Sequence, residues 1–270
     1  MRLLIVVPVL SSLERTKPFW GLLANTCKSS DLLVIDNAPD ENEQRFWKDF
    51  VAARWIGEMY YAPQKDNLGL IKSFQYAYEE YPNYDIYAYI HNDLYVYQDD
   101  WDQIVVDRFK INSQLGLFGF FGGEGVGPGG GRMNVWSNML EAEIHGWRTT
   151  GLKQVAVLDG MALIASRKML DVRGGVDLSY DIHHFYDLDL SLESIDRGFE
   201  NWIAGIPIHH HSGQTACLPQ FNDWANRYVG EHLGLQGSQG QDLLYQKNRS
   251  RFNDKWGHKL PWKVGMPWPK

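Results

Sequence analysis

Two short runs near the start of the chain restrict its fold more than any other feature. Leu3–Val9 (LLIVVPV) and Asp31–Asp36 (DLLVID) are almost wholly apolar, rich in β-branched residues and without polar alternation. A strand with one wet face alternates. A short unbroken run is buried on both faces, as in a sheet covered by helices on either side. Residues 12–28 between them are loosely amphipathic, with Pro18 near the start, and the pattern then recurs. Asp40, with Glu43 at capping-box spacing, predicts a helix to about residue 53, with Phe46, Phe50 and Val51 on its apolar side. Strands are expected over 55–61, 85–90 and 115–121. Helices are expected over 70–80, with Ile71, Phe74 and Tyr78 on one face, and after Asp99-Asp100, with Trp101, Ile104, Val105 and Phe109 buried. This alternation implies an α/β fold, a Rossmann-like, mostly parallel sheet flanked by helices. Such sheets bind ligands at the C-terminal strand ends, where Pro8, Asp36 and Asp93 fall.

The pattern breaks at residues 122–131, which hold seven glycines in ten positions. The segment reads as neither helix nor strand, either a mobile lid or a linker. It is not a phosphate-cradling loop, since no Gly-Lys-Ser/Thr ends it and it does not fit G-x-G-x-x-G. Beyond it, strand character resumes over 155–165, a short helix follows at 167–172, an amphipathic helix spans 186–197 and a strand 202–208. A helical, aromatic C-terminal stretch completes the chain.

Charge and composition exclude several function classes. With 33 acidic against 26 basic residues the formal net charge is −7, which disfavours a protein held mainly by nucleic-acid phosphates or anionic lipid. Cys27 and Cys217 lie far apart with no partner at metal-ligand spacing, which excludes a disulfide scaffold or zinc ribbon and suits a reducing compartment. The apolar run at the N-terminus is eight residues long, is interrupted by Pro8 and has no cleavage site after it; no segment approaches a membrane span. The expected location is cytoplasmic, or peripheral to a membrane.

Three clusters carry chemistry. Asp93 leaves the end of a buried strand, as either a ligand for a hard divalent cation or part of an Asn-Asp turn. Asp187 and Asp189 open a helix, as a general base or as capping carboxylates. His209, His210 and His211 follow a strand; alternation puts His209 and His211 on one face and His210 on the other. They are metal ligands or a solvated run. His183-His184 belongs either to the same pocket or to loop surface.

The order LLIVVPVL, LLVIDNAPD, DNLGLIKSF, IYAYIHNDLYV, LDGMALIASRKMLDVRGGVDLSY and FYDLDLSLESIDRGFENWIAGIPIHHHSG resembles the inverting GT-A glycosyltransferases. It is closest to the rhamnosyltransferase-like branch of glycosyltransferase family 2, over roughly residues 3–215, and the basic tail NRSRFNDKWG is similar to that branch too. The resemblance implies a GT-A domain over 1–215, with a nucleotide-sugar half to about 121 and an acceptor half over 122–215, followed by a helical extension over 216–270. It implies transfer of a sugar from a nucleoside-diphosphate sugar to a hydroxyl of a glycan or glycoconjugate, with Mn2+ or Mg2+ as cofactor. Pro8, Val9 and Asp36 would then hold the nucleoside, Asn67 and Gly69 the adjoining Asn-x-Gly element, and Lys72 a phosphate. Asn92 and Asp93 fall at the D-x-D position, whose first Asp is here His91. Gly160 and Tyr186 would face the acceptor, with Tyr186 replacing the usual Glu, and Asp187 would be the catalytic base. His209 or His211 would complete the metal shell, and the glycine segment would close as a lid.

Two rivals remain open. A glycosyltransferase acting on DNA bases would use the basic side chains Lys247, Arg249, Arg251 and Lys255, and an inactive carbohydrate- or nucleotide-binding relative would explain His91 and Tyr186. The aromatic excess, 14% of the chain, places an acceptor-stacking surface at Trp136, Trp147, Tyr180, Tyr186 and Trp224.

Overall fold

A computed structural model describes residues 1–10, 13–37, 45–140, 146–211, 219–234 and 239–269. The expected Asp40–Glu43 capping box, Ser212-Gly213 and Cys217 lie outside them.

The chain begins with β1 (Leu3–Val9), α1 (Leu13–Thr26), β2 (Asp31–Asp36), a π-helical turn (Trp47–Val51), β3 (Met59–Pro63), α2 (Gly69–Glu80), β4 (Ile86–Ile90), β5 (Leu94–Val96), α3 (Trp101–Ile111) and β6 (Leu115–Gly119). It continues through β7 (Phe121–Val126), β8 (Arg132–Ser137), β9 (Leu152–Val155), β10 (Val157–Leu158), β11 (Ala162–Ser166), α4 (Arg167–Arg173), α5 (Tyr186–Asp196), β12 (Glu200–Ala204) and β13 (Ile208–His210). The C-terminal part holds α6 (Pro219–Leu233), α7 (Gly240–Trp256) and β14 (Trp262–Lys263).

The central sheet has eight strands in the order β3-β2-β1-β4-β11-β6-β12-β9. β3, β2, β1 and β4 run parallel, as their apolar runs require, and β11 enters antiparallel between β4 and β6. Both faces are covered, which explains the unbroken runs. Leu3, Ile5, Val7 and Val9 pack with Phe19 and Trp20 of α1 and Trp101 and Phe109 of α3. Leu4 and Val6 pack on the other face with Phe74 of α2, Met169 of α4, Leu192 of α5 and Phe252 of α7.

Several local expectations change. The third strand starts at Met59 because Trp55 is spent on the core, its indole N–H donating to the Ser30 carbonyl at 3.0 Å. Asp100 does not cap α3: its backbone is left-handed and its side chain pairs with Lys28, 2.7 Å away. The 155–165 region is three short strands, because β10 leaves the central sheet to pair with β7. The first half of the glycine-rich segment, residues 122–126, belongs to β7, hydrogen-bonded to β8 on one edge and to β10 and β14 on the other, and residues 127–131 form the turn into β8. Without side chains at Gly122, Gly123 and Gly125 its neighbours approach closely; a Cβ on Gly122 would lie 2.6 Å from the Val157 carbonyl. A strand paired on both edges is a wall, which corrects for residues 122–126 the expectation that the segment is neither helix nor strand. No described helix is long and apolar enough to cross a membrane.

Candidate active site

A cavity of about 590 Å³ opens at the C-terminal ends of β1 and β4. Pro8, Val9 and Leu10 line it from the end of β1, His91, Asn92 and Asp93 from the turn between β4 and β5, and Asp159 and Gly160 from the turn before β11. The turn between β7 and β8 supplies Gly129–Gly131, the start of β8 supplies Arg132, α5 and its approach supply residues 182–188, and β13 supplies His210. Phe221 of α6 and Gln241 and Tyr245 of α7 complete it.

At one end, ligand atoms of His91, Asp93 and His210 all lie within 4.8 Å of one another. His210 reaches this spot because β13 pairs antiparallel with β5, opposite Leu94. Asp93 Oδ1 and His210 Nε2 are 3.2 Å apart yet misaligned, so both are buried without a hydrogen bond. Unsatisfied buried atoms of this kind mark a place for an ion or another donor. Burial pushes the Asp93 carboxyl up, but His210 and His91 outweigh it and hold it below the usual range. Burial pushes the His91 imidazole down.

The alternation expected of the three histidines holds, but the face turned to Asp93 is that of His210. His209 and His211 lie on the other side, their rings against Tyr95 and their nitrogens 3.1 Å apart. Among the described residues the cluster that could hold a cation is therefore His91, Asp93 and His210, and neither His209 nor His211 belongs to it.

At the other end, Asp187 sits in the first turn of α5. Its Oδ2 accepts from the Gly160 N–H at 3.1 Å and from Arg132 at 2.5 Å, and Arg132 also pairs with Asp159 at 3.2 Å. Burial raises the Asp187 carboxyl; Arg132 opposes the rise, Asp159 adds to it, and the net direction is up. A carboxyl that lines a cavity and is raised by burial can accept a proton at neutral pH more readily than an exposed one. The N-cap of α5 is Phe185, which makes no side-chain cap, and Asp187 and Asp189 lie inside its first turn. Asp189 points away into a buried network, bonded to Trp256 at 2.7 Å, Lys255 at 2.8 Å, Tyr180 at 3.2 Å and Arg173 at 3.3 Å. That network anchors α7.

Tyr186 bridges the two ends. Its hydroxyl is 3.3 Å from His91 Nε2 and 3.4 Å from the Gly160 carbonyl. Only glycine fits at 160, since a Cβ there would lie 2.3 Å from that hydroxyl. The approach to α5 is strained: Ile182, His184 and Phe185 have φ of 60°, 72° and 63°. Left-handed backbone costs a non-glycine residue about 1–3 kcal/mol, and such strain gathers at functional sites.

The remaining candidates divide. Pro8, Val9, Asn67, Gly69, Asn92 and Gly160 line the cavity. The Asn67 side chain accepts from the Gly69 N–H at 2.8 Å, and Gly69, at φ 66°, lets Ile182 approach. Asp36 does not line it. That carboxylate is fully buried and accepts from Tyr61 at 2.7 Å and Trp47 at 3.2 Å, leaving the cavity position to Asn37. Lys72 is exposed and faces the Tyr228 ring instead of the cavity. Trp136 lies on the outer sheet, bonded to Glu124 at 3.1 Å and 6.3 Å from Trp147. The rings expected to form one acceptor surface are thus dispersed: Tyr180 is in the Asp189 network, Trp224 packs on Phe221, and Tyr186 alone of the five lines the cavity. The basic C-terminal side chains are largely neutralised: Lys247 pairs with Asp181, Arg251 with Asp177, and Lys255 with Asp177, Asp189 and Glu193.

Arg132 and Asp159 were not legible as site residues, and His210 was legible only as one of three adjacent histidines. Arg132 is the first charge after the glycine run, a signal that a reading of the run as mobile loop discards.

Comparison with solved structures assigns the architecture. The chain is similar to GalNAc-T7, crystallised with UDP, GalNAc and Mn2+, at TM-score 0.62 and 10% identity over 96% of this chain and 57% of that one. It is also similar to residues 1–349 of S. aureus TarS, at TM-score 0.55 and 11% identity over 98% of this chain and 76% of that one. A second TarS structure matches at TM-score 0.54 and 12% identity over 98% of this chain and 46% of that one. The fold is the GT-A glycosyltransferase fold. At these identities the likeness is one of fold, and the chain spans little more than half the length of GalNAc-T7. No family model matches the sequence, and no curated protein does. In GT-A terms, the cavity occupies the C-terminal strand ends, as the general rule for such sheets requires.

Proposed function

We propose that this GT-A chain is an inverting glycosyltransferase that moves a sugar from a nucleoside diphosphate to an acceptor hydroxyl, with glycans as the acceptor class. One observation carries the reading: a carboxylate fit for a base, Asp187, and a three-residue cation site, His91, Asp93 and His210, share one cavity in this fold. Two imidazoles beside one carboxylate suit Mn2+ better than Mg2+, which prefers an all-oxygen shell. When bound, the ion would offset the negative charge gained by the departing diphosphate.

The chain's own groups do the rest. Asp187 takes the proton of the attacking hydroxyl, and burial keeps its carboxyl basic enough for the task. Gly160 N–H and Arg132 orient it, and Arg132 keeps the Asp159–Asp187 pair from repelling. Pro8, Val9, Asn37 and Asn67 face the nucleoside, and the aromatic wall of Phe185, Phe221 and Tyr245 keeps bulk water from the donor. Attack from the side of Asp187, opposite the leaving group, inverts the anomeric centre.

A second reading is an inactive nucleotide- or sugar-binding relative, favoured by the Arg132 pair that already occupies Asp187. Donor turnover separates the two. Under the main reading Asp187→Asn abolishes transfer and leaves nucleotide affinity unchanged; a wild-type protein that binds donors and never turns them over establishes the second. Action on DNA is disfavoured, because most of the basic groups that would bind it are ion-paired within the chain, and salt-sensitive DNA binding would restore it.

A further inference from the structure

α7 sends a fully buried polar side chain, Asn248, against the strained approach to α5. Its Oδ1 accepts from the Asp181 N–H at 3.2 Å. Its Nδ2 donates to the carbonyls of Asp181 at 2.9 Å, His183 at 2.6 Å and His184 at 3.3 Å. The Asp181 carboxylate is tied to the same helices, to the Tyr228 hydroxyl of α6 at 2.8 Å and to Lys247 of α7. The segment so held is the one with the left-handed residues Ile182, His184 and Phe185, and it runs directly into Tyr186 and Asp187. The first of these is β-branched, the residue type least suited to that conformation. Its local sequence does not choose this backbone. The bonds from Asn248 compensate for it.

We infer that Asn248 is a positioning residue: by clamping the carbonyls of Asp181, His183 and His184 it holds the strained turn that sets Tyr186 and Asp187 against the cavity. This rests on the reading of Asp187 as the base. A strained backbone persists only where its surroundings over-determine it, and here that comes from a helix far along the chain. His91 and Asp93 stand in the turn between β4 and β5 and His210 on β13, and none of them bonds Asn248; the held segment reaches the cation end through the contact of the Tyr186 hydroxyl with His91 Nε2, so the clamp acts mainly on the base end of the cavity.

The test compares wild type with Asn248→Ala, by amide hydrogen exchange resolved by peptide, Mn2+ titration and kcat. Exchange across residues 181–187 is expected to rise about tenfold or more while peptides of β1 and β4 are unchanged. Mn2+ affinity is expected to stay within about twofold of wild type while kcat falls about tenfold or more. Unchanged exchange over 181–187 would overturn the inference, and so would a uniform rise across the fold, which marks a plain core residue. Selective exchange with undiminished kcat would overturn it as well. If Asn248→Ala fails to fold, Lys247→Ala with Tyr228→Phe loosens the same segment through the Asp181 carboxylate and is read in the same peptides. A wild type without turnover would sink the reading of Asp187, and the exchange data would then decide the clamp alone.

Discussion

Replacing Arg132 by glutamine removes one charge from between two carboxylates. In the wild type its guanidinium stands 2.5 Å from Asp187 and 3.2 Å from Asp159, with its side chain 25% exposed. Deleting one partner of a buried pair costs about 3–5 kcal/mol, and the partial exposure places this case near the lower end, about 3 kcal/mol. At roughly 2–4 °C per kcal/mol for a chain of this size, Tm should fall by about 6–12 °C near neutral pH. The loss depends on pH with a definite sign. Burial already raises the Asp187 carboxyl, and Arg132 is the group that opposes the rise. Without it the folded carboxyl rises further above its unfolded value, so the folded state binds a proton more readily than the unfolded one. The deficit is therefore smallest in acid, where the carboxyl is protonated in both proteins, and grows as pH climbs from the folded value of the wild type to the higher folded value of the variant. Differential scanning calorimetry at acid and neutral pH reads this directly. The acid limb of kcat/KM should move to higher pH in the same variant. Equal Tm deficits at both pH values, with an unmoved acid limb, would refute the claim that Arg132 sets the charge of the base.

Other perturbations report on neighbouring parts of the account. Gly160→Ala sets a methyl 2.3 Å from the Tyr186 hydroxyl and should cost about 1–3 kcal/mol in denaturant unfolding, with turnover falling more than nucleotide affinity. Asp102, fully buried, accepts from Lys28 N–H at 3.2 Å, Ser29 N–H at 2.9 Å and the Ser30 hydroxyl at 2.8 Å, ordering the link from α1 to β2. Asp102→Ala should destabilise by about 3 kcal/mol and leave nucleotide affinity unchanged. His183, pushed by burial and by His184 down to about 3, is neutral when folded and charged when unfolded over the range below its ordinary 6.5. The unfolded state binds the extra proton there, so stability falls on acidification by up to about 1.4 kcal/mol per pH unit, and His183→Gln should flatten that slope in pH-dependent melts.

The β-α-β half was legible because local pattern and global role coincide there: a strand buried on both faces must be written as an apolar run, and Pro8 and Asp93 end two such runs. Asp187 was legible through the resemblance. The failures have physical causes. Asp36 has the right place in sequence, but Trp47 and Tyr61 converge on its carboxylate, a contact that spacing does not encode. The choice among His209, His210 and His211 depends on which face β13 turns toward β5, and a three-residue strand carries too little pattern to fix that. The glycine run read as neither helix nor strand because glycine has low strand propensity, whereas in its first half the absence of side chains is what lets strands crowd together. Asn248 and the Asp189 network were invisible for a related reason: both depend on buried polar contacts between α7 and segments far from it in sequence.

The central claim is that His91, Asp93 and His210 hold a cation that recruits a nucleotide to this cavity. Isothermal titration of UDP, GDP and TDP with and without Mn2+, on wild type and on His210→Ala, His209→Ala and His211→Ala, tests it most directly. At least one nucleotide should bind only with Mn2+ present, His210→Ala should weaken that binding by about tenfold or more, and the other two variants should leave it unchanged. No Mn2+-dependent binding by any nucleotide, or a loss that follows His209 or His211 instead, would contradict the account.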